Sequence, residues 1–167
     1  MFVGGGTPTL LTGAQLGRLL DAARASFPFA PDAEITLEGN PGTLTRENLH
    51  AYREAGVNRL SLGMQAAQDV LLERLGRIHR MPDVVAGVRM AREAGFDNLN
   101  LDLMYGLPGQ TRADWAQTPR AALDHAPEHP ACHPPLVRAR PRPPVTPLGG
   151  PAPPGAPGGR SPAAARG

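Results

Sequence analysis

The sequence predicts an α/β fold: parallel strands forming a partial (β/α) barrel, followed by a C-terminal tail without order of its own. Three observations predict it. Short strand-like runs alternate with helical periods from the N-terminus to about residue 128. Each run ends in a polar residue or a glycine turn, as strands do where they meet a barrel's ligand face. After Glu128 every period stops, and 12 of the last 39 residues are Pro.

The elements follow in order. Met1-Phe2-Val3 reads as the end of a strand running into Gly4-Gly5-Gly6-Thr7-Pro8-Thr9. Three glycines let a backbone approach a ligand and present its N–H groups. Thr12 and Gln15 have capping-box spacing, and Leu16, Leu19, Leu20 and Ala23 mark the apolar side of a helix to about Ser26. Glu34-Ile35-Thr36-Leu37-Glu38 alternates as a strand and stops at Gly39-Asn40-Pro41-Gly42. A helix is predicted over residues 43–55 with Gly56 closing it. Arg59-Leu60-Ser61-Leu62-Gly63 is the next strand, followed by Met64-Gln65. A short helix over residues 69–75 precedes Gly76-Arg77-Ile78-His79-Arg80, and Pro82 suits the first turn of a helix that Gly95 ends. The strand Asn98-Leu99-Asn100-Leu101-Asp102-Leu103 delivers a carboxylate to a Gly/Pro turn, where Thr111 and Asp114 can cap a helix to about His125.

Composition narrows the function classes. Residues 1–128 hold all 15 acidic and 12 of the 17 basic residues, so the body carries about −3 and the tail +5. Every basic residue is Arg, and aromatics are 4% of the chain. That is not the interleaving of basic and aromatic side chains that marks a nucleic-acid binder. One cysteine, Cys132, excludes an intrachain disulfide and a multi-cysteine metal cage. His125, His129, Cys132 and His133 are separated by prolines and are not expected to form a metal site. No apolar run approaches the ~20 residues of a membrane span, and nothing reads as a signal peptide. A cytoplasmic location is expected.

Five ordered motifs then carry a resemblance. They are Phe2-Val3-Gly4-Gly5-Gly6-Thr7-Pro8-Thr9, Glu34-Ile35-Thr36-Leu37-Glu38-Gly39-Asn40-Pro41, Arg59-Leu60-Ser61-Leu62-Gly63-Met64-Gln65, Leu75-Gly76-Arg77-Ile78-His79, and Asn100-Leu101-Asp102-Leu103-Met104-Tyr105-Gly106-Leu107-Pro108-Gly109-Gln110-Thr111. Over residues 2–128 the chain resembles the radical S-adenosylmethionine (SAM) family of oxygen-independent coproporphyrinogen III oxidase-like proteins, and its heme chaperone branch more than the oxidase branch. The resemblance implies a partial (β/α)6 barrel, SAM and a 4Fe–4S cluster as cofactors, and a porphyrin- or heme-related role. It implies that Gly5, Gly6 and Thr7 meet the methionyl end of SAM, that Glu38, Gln65 and Arg77 make polar contacts to a SAM, and that Asp102 accepts from ribose hydroxyls. The last role also makes chemical sense unaided, because one carboxylate can accept from two vicinal hydroxyls. His79 is expected to be structural.

The sequence departs from that family twice. A Cys-x3-Cys-x2-Cys loop after a first strand has no counterpart here, so this chain is expected to hold no cluster and to be inactive alone. After residue 129 the text is unrelated, as an out-of-frame reading of a GC-rich gene would give. The alternatives to a porphyrin-related radical SAM role are a heme-transfer chaperone without oxidase activity, an inert fragment with exposed sheet edges, and a phosphate-binding barrel enzyme. The last would need a cation beside residues 4–6, and none is adjacent in sequence.

Overall fold

A computed structural model describes residues 1–135. Five parallel strands form one sheet in the order β1-β2-β3-β4-β5: β1 (Phe2–Val3), β2 (Thr36–Gly39), β3 (Arg59–Gln65), β4 (Leu99–Met104) and β5 (His129–His133). Sequential order without reversal is the order of a barrel arc. A doubly wound sheet would reverse at a switch point. Crossovers between parallel neighbours are right-handed as a rule, which puts the connecting helices on one face. These helices are α1 (Gly13–Ser26), α2 (Arg46–Glu54), α3 (Asp69–Arg74), α4 (Met81–Glu93) and α5 (Arg112–Leu123).

Capping boxes start the helices where the sequence places them in two cases. Thr12 accepts from the Gln15 N–H at 3.2 Å, and Thr111 from the Asp114 N–H at 3.1 Å. The second helix starts later than predicted. Residues 41–43 form a separate 3-10 turn, and Thr45 caps α2 with Asn48 answering it at 2.9 Å. The reciprocal Thr45–Asn48 pair sets that start, and Pro41 begins the turn before it.

The register separates two faces. Leu37, Leu60 and Leu99 stand in one row, and Leu62 and Leu101 in another. These leucines are fully buried and pack with Leu16, Leu20, Leu49, Tyr52, Val84 and Val88 of the helices. Glu38, Ser61 and Asn100 form the intervening row and point to the opposite face. A smaller cluster of Ala66, Leu71, Leu72 and Leu107 seats α3 over the ends of β3 and β4.

The boundary at residue 128 needs correction. Residues 129–133, assigned from sequence to a disordered tail, form β5 and pair with β4 in the register Asn100↔His129 to Met104↔His133. Little in His-Pro-Ala-Cys-His favours a strand. The open edge of β4 supplies the ladder, and Pro130 is tolerated because β5 has a partner on one side only. The remainder of the predicted disordered tail, from residue 136, lies outside the described residues. Among the described residues no helix is long and apolar enough to cross a membrane.

Candidate functional site

The polar row ends at a cavity of about 220 Å3 at the C-terminal ends of the strands. The glycine turn after β1 forms one wall. Gly5 and Gly6 have φ of +91° and +65°, a left-handed pair that side chains disfavour. The Gly5 N–H donates to Glu38 Oε2 at 3.0 Å, which ties the turn to the end of β2. Gly6, Thr7 and Glu38 line the cavity. Behind the turn, the buried Tyr52 hydroxyl lies 2.7 Å from the Leu11 carbonyl and 3.0 Å from that of Thr9, anchoring the following loop on α2.

On the far wall Asp102 is held by two buried neutral donors. Ser61 Oγ donates to Asp102 Oδ2 at 3.0 Å, and Asn100 Nδ2 donates to Asp102 Oδ1 at 2.7 Å and to Ser61 Oγ at 2.9 Å. Among the described residues each carboxylate oxygen accepts one bond, which leaves lone pairs for further donors. Sequence reasoning missed Ser61 and Asn100. The available signal was their polarity at interior positions of strands flanked on both sides, where parallel sheets are usually apolar on both faces.

Gln65 is placed by an irregularity the sequence did not show. The β3–β4 register shifts between Leu62↔Leu101 and Gln65↔Leu103, so three steps on β3 face two on β4. Such a bulge re-aims the strand end. Gln65 has φ +67°, a left-handed conformation costly for a side-chain-bearing residue. It is 4% exposed, and its Oε1 is buried with no hydrogen-bond partner among the described residues. A Cβ on Gly63 would stand 2.8 Å from Gln65 Nε2 and 3.3 Å from Arg77 Nη2, so glycine there makes room for both side chains.

Arg77 follows α3, and its own N–H is fixed to the Leu72 carbonyl at 3.0 Å. Burial pushes its guanidinium below the usual pKa, while the Asp102 charge opposes that; the group stays cationic. His79 is fully buried, with Nδ1 3.0 Å from Asn40 Oδ1. Burial lowers its pKa, the Met64 carbonyl raises it, and the charge of Arg77 lowers it further.

Of the seven residues singled out from the sequence, Gly6, Thr7, Glu38, Gln65, Arg77 and Asp102 line this one cavity, and Gly5 is bonded to its wall. Asn40 and His133 line it as well and were not anticipated. The lining carries two carboxylates and one guanidinium. That excess of negative charge disfavours a phosphate, although Arg77 supplies the cation missing from the neighbourhood of residues 4–6 in sequence.

These features define a class: a parallel barrel arc with a polar ligand cavity at its strand ends. Within that class the chain belongs to the radical SAM superfamily, whose family model matches residues 1–122. It is 46% identical over 130 residues to the heme chaperone HemW of Bacillus subtilis, covering 77% of this chain and 34% of that protein. It is 42% identical over 125 residues to the oxygen-independent coproporphyrinogen III oxidase of Bradyrhizobium diazoefficiens, covering 75% and 28%. It superposes on the solved Escherichia coli radical SAM enzyme coproporphyrinogen III oxidase, HemN, with a TM-score of 0.72 and 36% identity, over 80% of this chain and 31% of that one. The chain therefore spans about a third of the length of the relatives it matches.

The family implies SAM and an iron–sulfur cluster, and the residues meet these two differently. SAM fits the cavity's chemistry: an orphaned buried amide oxygen, a glycine cradle, a carboxylate held by two donors, and a negative lining for a ligand of net charge +1. The cluster does not fit the residues present. Cys132 is the single cysteine, and among the described residues no three His, Cys, Asp or Glu side chains stand together.

Proposed function

We propose that the cavity binds SAM, as part of a radical SAM protein with a porphyrin- or heme-related role. The observation that carries this reading is the convergence on one cavity of a glycine turn, Glu38, Gln65 and Asp102 from the ends of four strands, joined by Arg77 from the loop after α3. In this reading Asp102 accepts from the ribose hydroxyls, with Ser61 and Asn100 fixing its orientation. Gly5, Gly6 and Thr7 face the amino-acid portion, and Glu38 attracts its ammonium. Gln65 Oε1 accepts a donor from the ligand, which relieves a buried unpaired oxygen. Arg77 offers a planar donor fork. SAM bound beside a reduced iron–sulfur cluster would supply radical chemistry; the residues here would bind and orient SAM.

Titrating the chain with SAM tests the reading. Backbone amide shifts should localise to Gly5, Gly6, Thr7, Gln65 and Asp102. S-adenosylhomocysteine, which lacks the sulfonium charge, should bind more weakly than SAM. Replacing Asp102 by Asn should weaken SAM by about 10- to 100-fold, the worth of charge-assisted hydrogen bonds. Unchanged spectra at saturating SAM would sink it.

A heme-transfer role is the second reading, favoured by the likeness to the heme chaperone HemW. It predicts that a full-length relative binds heme in titration and lacks porphyrinogen decarboxylation. Catalytic decarboxylation by that relative would overturn it. A cytoplasmic location accords with both readings.

A further inference from the structure

Asn40 is held from behind by two groups. Its Oδ1 accepts from the Gly42 N–H at 3.1 Å and lies 3.0 Å from His79 Nδ1. A backbone N–H can only donate, so the amide has one orientation: Oδ1 toward the turn and Nδ2 away from it. His79 Nδ1 must then carry the proton and donate to the same oxygen. His79 is fully buried, and among the described residues its Nε2 makes no hydrogen bond of good geometry, the Met64 carbonyl being the backbone group that favours its charged form. With Oδ1 engaged twice, rotation of the Asn40 side chain would break both bonds.

Asn40 Nδ2 has no hydrogen-bond partner among the described residues and is not among their sealed, unpaired polar atoms. The residue lines the cavity beside Glu38 and Thr7. Capping the 3-10 turn alone would need only an acceptor, which Ser, Thr or Asp provides equally well. That role explains neither the free amide nitrogen nor the buried histidine that turns it outward.

We propose that Asn40 is a ligand-contact residue, its Nδ2 donating to the carboxylate of the amino-acid portion of SAM, and that His79 is the positioning residue that aims it. This rests on the reading that the cavity takes SAM. Asn40 stands on the glycine-turn side, its N–H 3.4 Å from Thr9 Oγ1, opposite the Asp102 wall assigned to the ribose. A donor is needed there to offset the repulsion between the Glu38 carboxylate on the same side and the ligand's own.

The discriminating experiment titrates the chain calorimetrically with SAM and with 5′-methylthioadenosine, which keeps the nucleoside and lacks the amino acid. Asn40→Asp keeps an oxygen for Gly42 and His79 but removes the donor. It should weaken SAM at least tenfold and change 5′-methylthioadenosine less than twofold. His79→Leu should weaken SAM in the parent chain and add nothing in an Asn40→Ala background, because it acts through that amide. If His79→Leu does not fold, the Asn40→Asp comparison alone decides. Equal weakening of both ligands, or unchanged SAM affinity, overturns the inference while the SAM site stands. Failure of the parent chain to bind SAM overturns the site reading and the inference with it.

Discussion

Replacing Asn100 by Ala tests whether the polar row is a linked network. Asn100 is 3% exposed, and its Nδ2 serves two acceptors. The bond to Asp102 Oδ1 at 2.7 Å is charge-assisted and worth about 1.5–3 kcal/mol; the bond to Ser61 Oγ at 2.9 Å is neutral and worth about 0.5–1.5 kcal/mol. Asp102 is half-buried, so water recovers part of its loss, and the Ser61 hydroxyl keeps its own bond to Oδ2. The lower ends of both ranges therefore apply, giving about 2 kcal/mol of destabilisation. For an ordered body of this size that lowers Tm by about 6 °C. Thermal melts by circular dichroism at neutral pH give the number. Ser61→Ala and the double variant complete a cycle: because both residues bond the same carboxylate, the losses should couple by at least ~0.5 kcal/mol. A melt within 1 °C of the parent, or strictly additive losses, would refute a network holding Asp102.

Three further outcomes follow from the packing and chemistry. A Cβ on Gly13 would run into the Ala51 side chain, where the first turn of α1 meets α2, so Gly13→Ala should cost about 1–3 kcal/mol in urea titrations, and adding Ala51→Gly should recover most of it. His79 titrates below its ordinary value of 6.5, with burial as the main cause, Arg77 and Arg80 adding to it, and the Met64 carbonyl and Asp83 opposing. The unfolded chain then binds the proton more readily, so the His79 contribution to stability is intact above pH 6.5 and is lost as pH falls through the folded-state pKa; His79→Asn should flatten the fall in urea midpoint between pH 7.5 and 5. Anaerobic reconstitution with iron and sulfide should leave well under one cluster per chain by iron and acid-labile sulfide analysis, since Cys132 is the single thiol.

Much of the fold was legible because local chemistry agreed with tertiary placement. Thr12 with Gln15 and Thr111 with Asp114 read as helix starts, and the paired backbone and side-chain bonds are there. What the sequence hid was decided by neighbouring strands. Alternation in Leu60-Ser61-Leu62-Gly63-Met64 gives no sign that the ladder to β4 slips before Gln65; the extra residue shows only against Leu101 and Leu103. Likewise β5 owes its extended form to the unpaired edge of β4 rather than to any preference of His129 or Pro130.

The site divides along the same line. Glu38, Gln65 and Asp102 were visible because each lies at or near the C-terminal end of a strand, and strand ends on one side of a barrel face one hollow. Asn40 and His79 were not, because their pairing joins residues 39 positions apart and their worth lies in geometry: one oxygen claimed twice and one nitrogen left over. Ser61 and Asn100 stand between these cases. Polar residues in interior parallel strands conflict with burial unless they satisfy one another or a ligand group. Here they satisfy one another and the Asp102 carboxylate near the end of β4. The break in the apolar pattern on that one row is therefore explained by a carboxylate that needs buried donors, in a sheet otherwise built from leucine.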